Sequence, residues 1–505
     1  MSRKYFFLLS LLLFIKACFM VFVVMHAGIE LGPDEAQYWT WSQALDWGYY
    51  SKPPGIAWLI SVGTQLFGNT ELGVRSVAIG IGTLLPFAVY FLALRCGTQQ
   101  RTAFWAAVMM ALTPLGFASS LFTTTDAGMV LFWTLAATVV ASALKTDDPP
   151  RYLILGIVIG LGALFKWPIY FFWVVVVVAI IFVPPLRSKR LFGGVAISLL
   201  GLLPSVIWNA SHNWGTFRHV FSTVRGGDVN FATARGNFWD FIGAQVGLLS
   251  PIIFVLLLIA LVYLLRNFKT IPRQFRFCAF LCFGIIGMIA FAAAFKKMQG
   301  NWGVFAYPTG IVFLAWVVLE RLSMSVRWLQ AGLLLSLLLI IGLVGIPTLQ
   351  KRGFAIPNVL KHTIGWSPLS KVLEKEGYDP VKDFLFGDKY QVSSILSFYG
   401  PQQKRAYFLN LHRIRNNQFS YWPDMADEQL GKTGYFVVVE NAPHLYDPQK
   451  QQIEEYQKLL SLYFKKVTYL GVKPLYEIGG EVVKGALIFK CEGYNGERPA
   501  ESLLY

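Results

Sequence analysis

The sequence predicts an all-α, many-spanning membrane domain followed by a small α/β domain, and three observations predict it. Hydrophobic residues make up 55% of the 505 and charged residues only 14%, against roughly 25% charged in an ordinary soluble domain. Eleven apolar stretches recur before residue 348. Beyond about residue 350 the pattern changes to short apolar runs between polar turns. The expected division is therefore 1–348 for the membrane domain and 349–505 for a soluble α/β domain large enough to hold its own core.

The first apolar stretch, residues 5–27, follows Arg3 and Lys4 and is long enough to cross a bilayer. No small-residue cleavage pattern follows it, so it is expected to stay as an uncleaved signal anchor. Lys16 within it would cost roughly 2.5–3.5 kcal/mol at a helix centre and should face protein or reach the interface. The others are 72–94, 102–121, 127–144, 152–165, 169–183, 191–208, 243–265, 277–295, 303–319 and 328–347. Several fall short of about 20 residues, which admits broken or re-entrant segments and a total anywhere from ten to thirteen.

With the N-terminus in the cytoplasm, fifteen basic residues of the membrane domain lie on the inner side and eight on the outer. That asymmetry follows the positive-inside rule, and an odd number of spans sends the C-terminal domain to the outer side of the membrane. Of the 44 basic residues 24 precede residue 348, but only 11 of the 28 acidic ones do. The net charge of +16 thus belongs to membrane topology and not to nucleic-acid binding. Five cysteines, mostly in apolar stretches, form neither a disulfide framework nor a zinc pattern. In the last 155 or so residues, GDKYQVSSILSFYG, GYFVVVENAP, KKVTYLG and ALIFKCEG alternate apolar strands with amphipathic segments.

Acidic residues collect on the outer side, at Glu30, Asp34, Glu35, Asp46, Glu71, Asp126, Asp228 and Asp240. Two long outer loops, 28–71 and 209–242, mix charge with aromatics. Asp34-Glu35 is an adjacent carboxylate pair beside a bilayer, suited to a base or a metal-holding acid, or else a solvated turn opened by Gly32-Pro33. In Tyr49-Tyr50-Ser51-Lys52-Pro53-Pro54 the prolines fix the backbone, block a helix start and hold Lys52 at the membrane edge, where it meets a phosphate or simply snorkels. Asp126 either serves the site or caps the helix that follows Thr125. Lys166, Lys296 and Lys297 add cations on the same face, for lipid headgroups or for a lipid-linked phosphate, and Arg218, Arg225 and Arg235 suit either use.

The run Pro33-Asp34-Glu35-Ala36-Gln37-Tyr38-Trp39, then Tyr50-Ser51-Lys52-Pro53-Pro54, Thr125-Asp126-Ala127, Phe165-Lys166-Trp167 and Lys297-Met298-Gln299-Gly300-Asn301-Trp302 ahead of Tyr307-Pro308 resembles a known series. It is similar to the membrane glycosyltransferases related to the dolichyl-phosphate-mannose protein mannosyltransferases. The likeness is strongest to their bacterial branch of lipid A aminoarabinose and galacturonic acid transferases, and the motifs keep the family's order over nearly all of residues 1–345.

The resemblance implies a GT-C-like helical core with an active site on the outer face, a polyprenyl-phosphate-linked sugar as donor, a lipid or glycolipid acceptor and an inverting transfer. It makes Asp34 the main catalytic acid residue, with Glu35 in support and Asp126 shaping the site. Lys52, Lys166 and Lys297 would hold the donor phosphate, and Tyr38 and Tyr49 would line the sugar pocket. Ser51 stands where the aminoarabinose branch has an acidic residue, and Gln37 where it has a basic one, so neither that branch's metal site nor its sugar carries over, and a divalent metal is left open. Transfer to a protein hydroxyl and a flippase for lipid-linked sugars are the alternatives, although no internal repeat supports transport.

Overall fold

The computed structural model describes residues 3–225, 235–354, 356, 360–441 and 450–500. All eleven apolar stretches are helical, as they must be where no water can satisfy the backbone. Among the described residues seven helices are long and apolar enough to cross a membrane: α1 (Arg3–His26), α4 (Glu71–Cys96), α7 (Thr125–Thr146), Arg190–Ser211, Arg273–Ala293, Gly300–Arg321 and Arg327–Lys351. Two bent pairs bring the number to nine. One is α5 (Gln100–Leu112) with α6 (Pro114–Leu121), bent by 58°, and the other Phe238–Leu249 with Pro251–Asn267, bent by 107°. Each bend falls at a proline, which cannot donate to the preceding turn but suits the first position of the next helix. The stretches expected at 152–165 and 169–183 become the short apolar helices Tyr152–Ala163 and Trp167–Phe182.

Lys16 faces protein as expected. Its ammonium donates to Gly116 O at 3.0 Å, Ser120 Oγ at 2.8 Å and Gly82 O at 3.4 Å, which binds α1 to α4 and α6.

The expected loop 28–71 is corrected by the structure: it carries α2 (Pro33–Gln43) and α3 (Gly55–Phe67). Pro33 occupies the first turn of α2, and α3 starts directly after Pro54, so these prolines open helices instead of blocking them. The 209–242 loop likewise contains the helix Gly215–Arg225 and the start of Phe238–Leu249. Asp228 and the side chain of Arg225 lie outside the described residues.

The C-terminal unit is a five-stranded sheet in the order β2-β1-β3-β5-β4, with β1 at Phe384–Gly387, β2 at Tyr407–Phe408, β3 at Gly434–Asn441, β4 at Phe464–Ile478 and β5 at Glu481–Tyr494. β1 runs parallel to β2 and β3, while β5 is antiparallel to β3 and β4. One face shares a core with the membrane part: Trp39, Trp41 and Ile56 pack in one cluster with Trp366, Tyr399, Val437 and Ile488. Polar contacts fix the same junction. Leu31 N donates to Tyr399 Oη at 2.7 Å, Ser367 N to Glu30 Oε1 at 3.1 Å and Tyr50 N to Gln418 Oε1 at 2.7 Å.

Candidate active site

Two glycines let the site-bearing turns close on each other. Gly55 N donates to Leu164 O at 2.8 Å, and a Cβ at Gly55 would stand 2.6 Å from that oxygen, so the turn carrying Lys52 lies against the turn carrying Lys166. A Cβ at Gly128 would stand 2.3 Å from the Phe165 ring. Its absence lets that turn approach the start of α7, where Lys166 Nζ reaches Asp126 Oδ1 at 2.6 Å. Asp126 is not the cap of α7; the helix has no side-chain cap bond at Thr124, and the carboxylate meets Lys166 instead.

Asp34, in the first turn of α2, is open to solvent while residues 35–42 after it are buried. The protein around it still excludes enough water to raise its carboxyl above the ordinary carboxylate range; Lys52 pulls it back, Glu35 pushes it further up and His362 pulls it down. Lys52 is half-buried. Loss of water lowers its ammonium first, then Lys166, while Asp126 and Asp34 oppose and Arg415 adds to the lowering. Tyr38 is buried and feels both Asp34 and Asp126. Tyr390 is pushed up to about 12, by burial first and then by Asp34, with Arg415 opposing. Asp34, Lys52, Asp126 and Lys166 thus share one recess that is reachable by solvent but poor in water. His362, Tyr390 and Arg415 come to it from the C-terminal unit. Sequence reasoning missed these three, because nothing in the polar turns around them marks which ones the fold will bring to Asp34.

Glu35 faces away from this group. Its Oε1 accepts from Arg75 Nε at 3.0 Å and from Thr123 N at 3.0 Å, and its Oε2 from Arg75 Nη2 at 2.8 Å and Gly32 N at 3.0 Å. Arg75, near the start of α4, is fully buried and also donates to Ile29 O at 2.6 Å and Glu30 O at 2.8 Å. One ion pair therefore ties α2, α4, residues 29–32 and the approach to Asp126 together.

The structure corrects the sugar-pocket role expected of Tyr49. Tyr49 does not line the recess: it is fully buried, its ring is stacked on Trp41 with centroids 4.7 Å apart, and its hydroxyl donates to Trp41 O at 3.0 Å. It braces the Lys52 turn, where Tyr49 N donates to Lys52 O at 3.1 Å. Lys297 is exposed, is in no ion pair among the described residues and is not among the charges acting on Asp34 or Lys52.

Beside Asp126 a cavity of about 190 Å³ is walled mainly by apolar side chains, among them Leu85, Met110, Phe122, Val130 and Leu248. Hydrocarbon placed there would end at a carboxylate paired with a lysine. Among the described residues no three His, Cys, Asp or Glu side chains gather into a metal-holding group. Asp126 is paired with Lys166, and Asp34 feels the charge of Lys52.

Residues 51–208 match a family model described as dolichyl-phosphate-mannose-protein mannosyltransferase, a span that includes Lys52, Asp126 and Lys166. The chain is 28% identical over 299 residues to the lipid A galacturonosyltransferase RgtD of Rhizobium johnstonii, covering 58% of this chain and 62% of that one. It is 30% identical over 151 residues to an undecaprenyl phosphate-alpha-4-amino-4-deoxy-L-arabinose arabinosyl transferase of Erwinia tasmaniensis, covering 26% and 27%. The match therefore spans less than two thirds of either relative's length. In structure the chain shares the fold of ArnT from Cupriavidus metallidurans in its crystal form bound to undecaprenyl phosphate, with a TM-score of 0.64 at 14% identity over 97% of this chain and 98% of that one.

Proposed function

We propose that this chain, related in sequence to membrane glycosyltransferases and built on the ArnT fold, is itself an inverting glycosyltransferase of a bacterial inner membrane. It moves one sugar from a polyprenyl-phosphate donor to lipid A or to lipopolysaccharide core. The observation that carries this reading is the water-poor recess in which an accessible carboxylate with a raised pKa shares its space with two lysines beside an apolar cavity.

In the proposed step the acceptor hydroxyl oxygen attacks the anomeric carbon as the bond from that carbon to the phosphate oxygen breaks. Asp34 takes the hydroxyl proton, and polyprenyl phosphate leaves with the bonding electrons. Its growing negative charge falls to Lys52 and Lys166, preset cations that need no rearrangement at the transition state. A base whose pKa is raised toward working pH is better matched to proton transfer than an ordinary carboxylate. Attack from the face opposite the leaving group inverts the anomeric centre. The cavity beside Asp126 takes the first isoprene units of the donor. Eleven spans, a cytoplasmic N-terminus and a periplasmic C-terminal domain, residues 349–505, complete the reading. That arrangement puts the recess where lipid A and the donor headgroup meet.

Two measurements test it. Mass spectra of lipid A and core oligosaccharide should lack one sugar mass in cells without the gene and regain it with the intact gene. Unchanged lipopolysaccharide in both, with expression verified, would overturn the acceptor assignment. Val130→Phe, which narrows the apolar cavity, should raise KM for a polyprenyl-phosphate donor about tenfold, the worth of one or two displaced CH₂ groups, with kcat little changed. An unchanged KM would remove the lipid chain from that cavity.

A further inference from the structure

At the other end of α7 lies a second apolar groove that the transfer reaction does not use. It has a volume of about 460 Å³ and sits between α7, the helix Trp167–Phe182 and the helix Arg273–Ala293. Val175, Val178, Phe182, Phe277 and Phe280 wall it, and Arg273 and Arg276 stand with them. The 18 residue steps of α7 from Asp126 to Leu144, which lines the groove, put about 27 Å between this groove and the recess.

The groove exists because the helix Trp167–Phe182 stops early. Pro184 and Pro185 follow Val183 and cannot donate to the preceding turn, so the wall ends before the neighbouring helices do. Its two arginines differ in what answers their charge. Arg273 pairs with Asp147. Arg276 is half-buried, with its guanidinium 5.2 Å from the centre of the Phe268 ring, and it has no acidic partner among the described residues. A cation without an acid, at the end of an apolar groove between helices, fits one kind of occupant: hydrocarbon that terminates in a phosphate. A free phosphate ion would leave the apolar length of the groove empty, and an uncharged lipid would leave Arg276 unanswered.

We propose that this groove holds one anionic glycerophospholipid, with an acyl chain between the three helices and its phosphate on Arg276. The site is separate from the donor cavity, which opens beside Asp126. The bound lipid completes the wall that the short helix leaves open. That helix begins at the residue after Lys166, so filling the groove also steadies one side of the recess.

The test is native mass spectrometry of the full-length protein in detergent, with dioleoyl phosphatidylglycerol or dioleoyl phosphatidylcholine added as the probe. Wild-type protein should retain one phosphatidylglycerol and markedly less phosphatidylcholine. Arg276→Gln should weaken phosphatidylglycerol retention about fivefold, Arg276→Lys should keep most of it, and Val178→Trp should weaken it by blocking the chain with the charge intact. Arg151→Gln, a basic residue outside this groove, should leave it unchanged. Thermal unfolding checks that each variant is folded; should Val178→Trp fail to fold, the two Arg276 variants decide. Equal retention of both lipids, or wild-type retention by Arg276→Gln, would overturn the proposal.

Discussion

Asp34→Asn is expected to slow sugar transfer by about 10²- to 10⁴-fold, the range for removing a positioned general base, while the protein stays folded. The amide keeps the size of the side chain and its place in the first turn of α2 but cannot take the acceptor's proton. The loss should therefore appear in kcat more than in KM for the donor. The direction of the stability change is set by the pKa. Surrounding protein raises the Asp34 carboxyl above its unfolded value, so the folded state binds the proton more tightly, and the ionised group's contribution to stability falls as pH rises through the window between the two values. A neutral amide escapes that loss, and the melting temperature at pH 7 should be unchanged or higher. For the same reason the acid limb of the wild-type pH–rate profile should lie above the ordinary carboxylate range, with activity lost as pH drops through the raised pKa. Wild-type turnover by Asp34→Asn would move the base elsewhere, first to Asp126.

The second large effect concerns Arg75, which touches no substrate. Arg75→Leu strands the Glu35 carboxylate in a buried site, and breaking a buried pair in this way costs about 3–5 kcal/mol. Thermal unfolding in detergent should show a large fall in melting temperature, with activity lost in parallel as α2 loses its hold on α4. The double variant Glu35→Gln with Arg75→Leu should recover part of that stability, because no unpaired charge remains. Arg75→Lys should rescue poorly, since one ammonium cannot reproduce the two-pronged contact with Glu35 and still reach Ile29 O and Glu30 O. A single Arg75→Leu variant as stable as wild type would show that this junction is not where the site is held.

What the sequence made legible follows from how rare charge is beside a membrane. Asp34, Lys52, Asp126 and Lys166 stand out because each interrupts or borders an apolar run, and the fold brings the four together. Helix content was legible too, since a long hydrocarbon-facing segment has few other ways to satisfy its backbone. Arg75 was not legible in the same way. Hydropathy assigns a charged residue near the end of an apolar run to the boundary, and only a partner 40 residues away makes its burial affordable. Helices α2 and α3 hide behind their prolines, whose meaning reverses between a helix interior and a helix start. Tyr49 shows the opposite failure: an aromatic beside a motif looks like a sugar platform until its hydroxyl is found spent on the backbone of α2. The contribution of the C-terminal unit was out of reach, because Tyr390 and Arg415 meet the recess only through the packing of Tyr399, Gln418 and Trp366 on the first outer segment.

The hydrogen bond from Leu31 N to Tyr399 Oη joins residues 368 positions apart. At roughly 5–20 residues per second of synthesis, that separation amounts to about 20–70 s between the appearance of the two partners at the ribosome. The nascent chain therefore carries Asp34 and Lys52 for much of a minute before the segment that closes around them exists. A premature stop codon between Lys166 and the sheet would leave a membrane-inserted chain that keeps Asp34, Lys52, Asp126 and Lys166 but lacks the C-terminal residues that close around them.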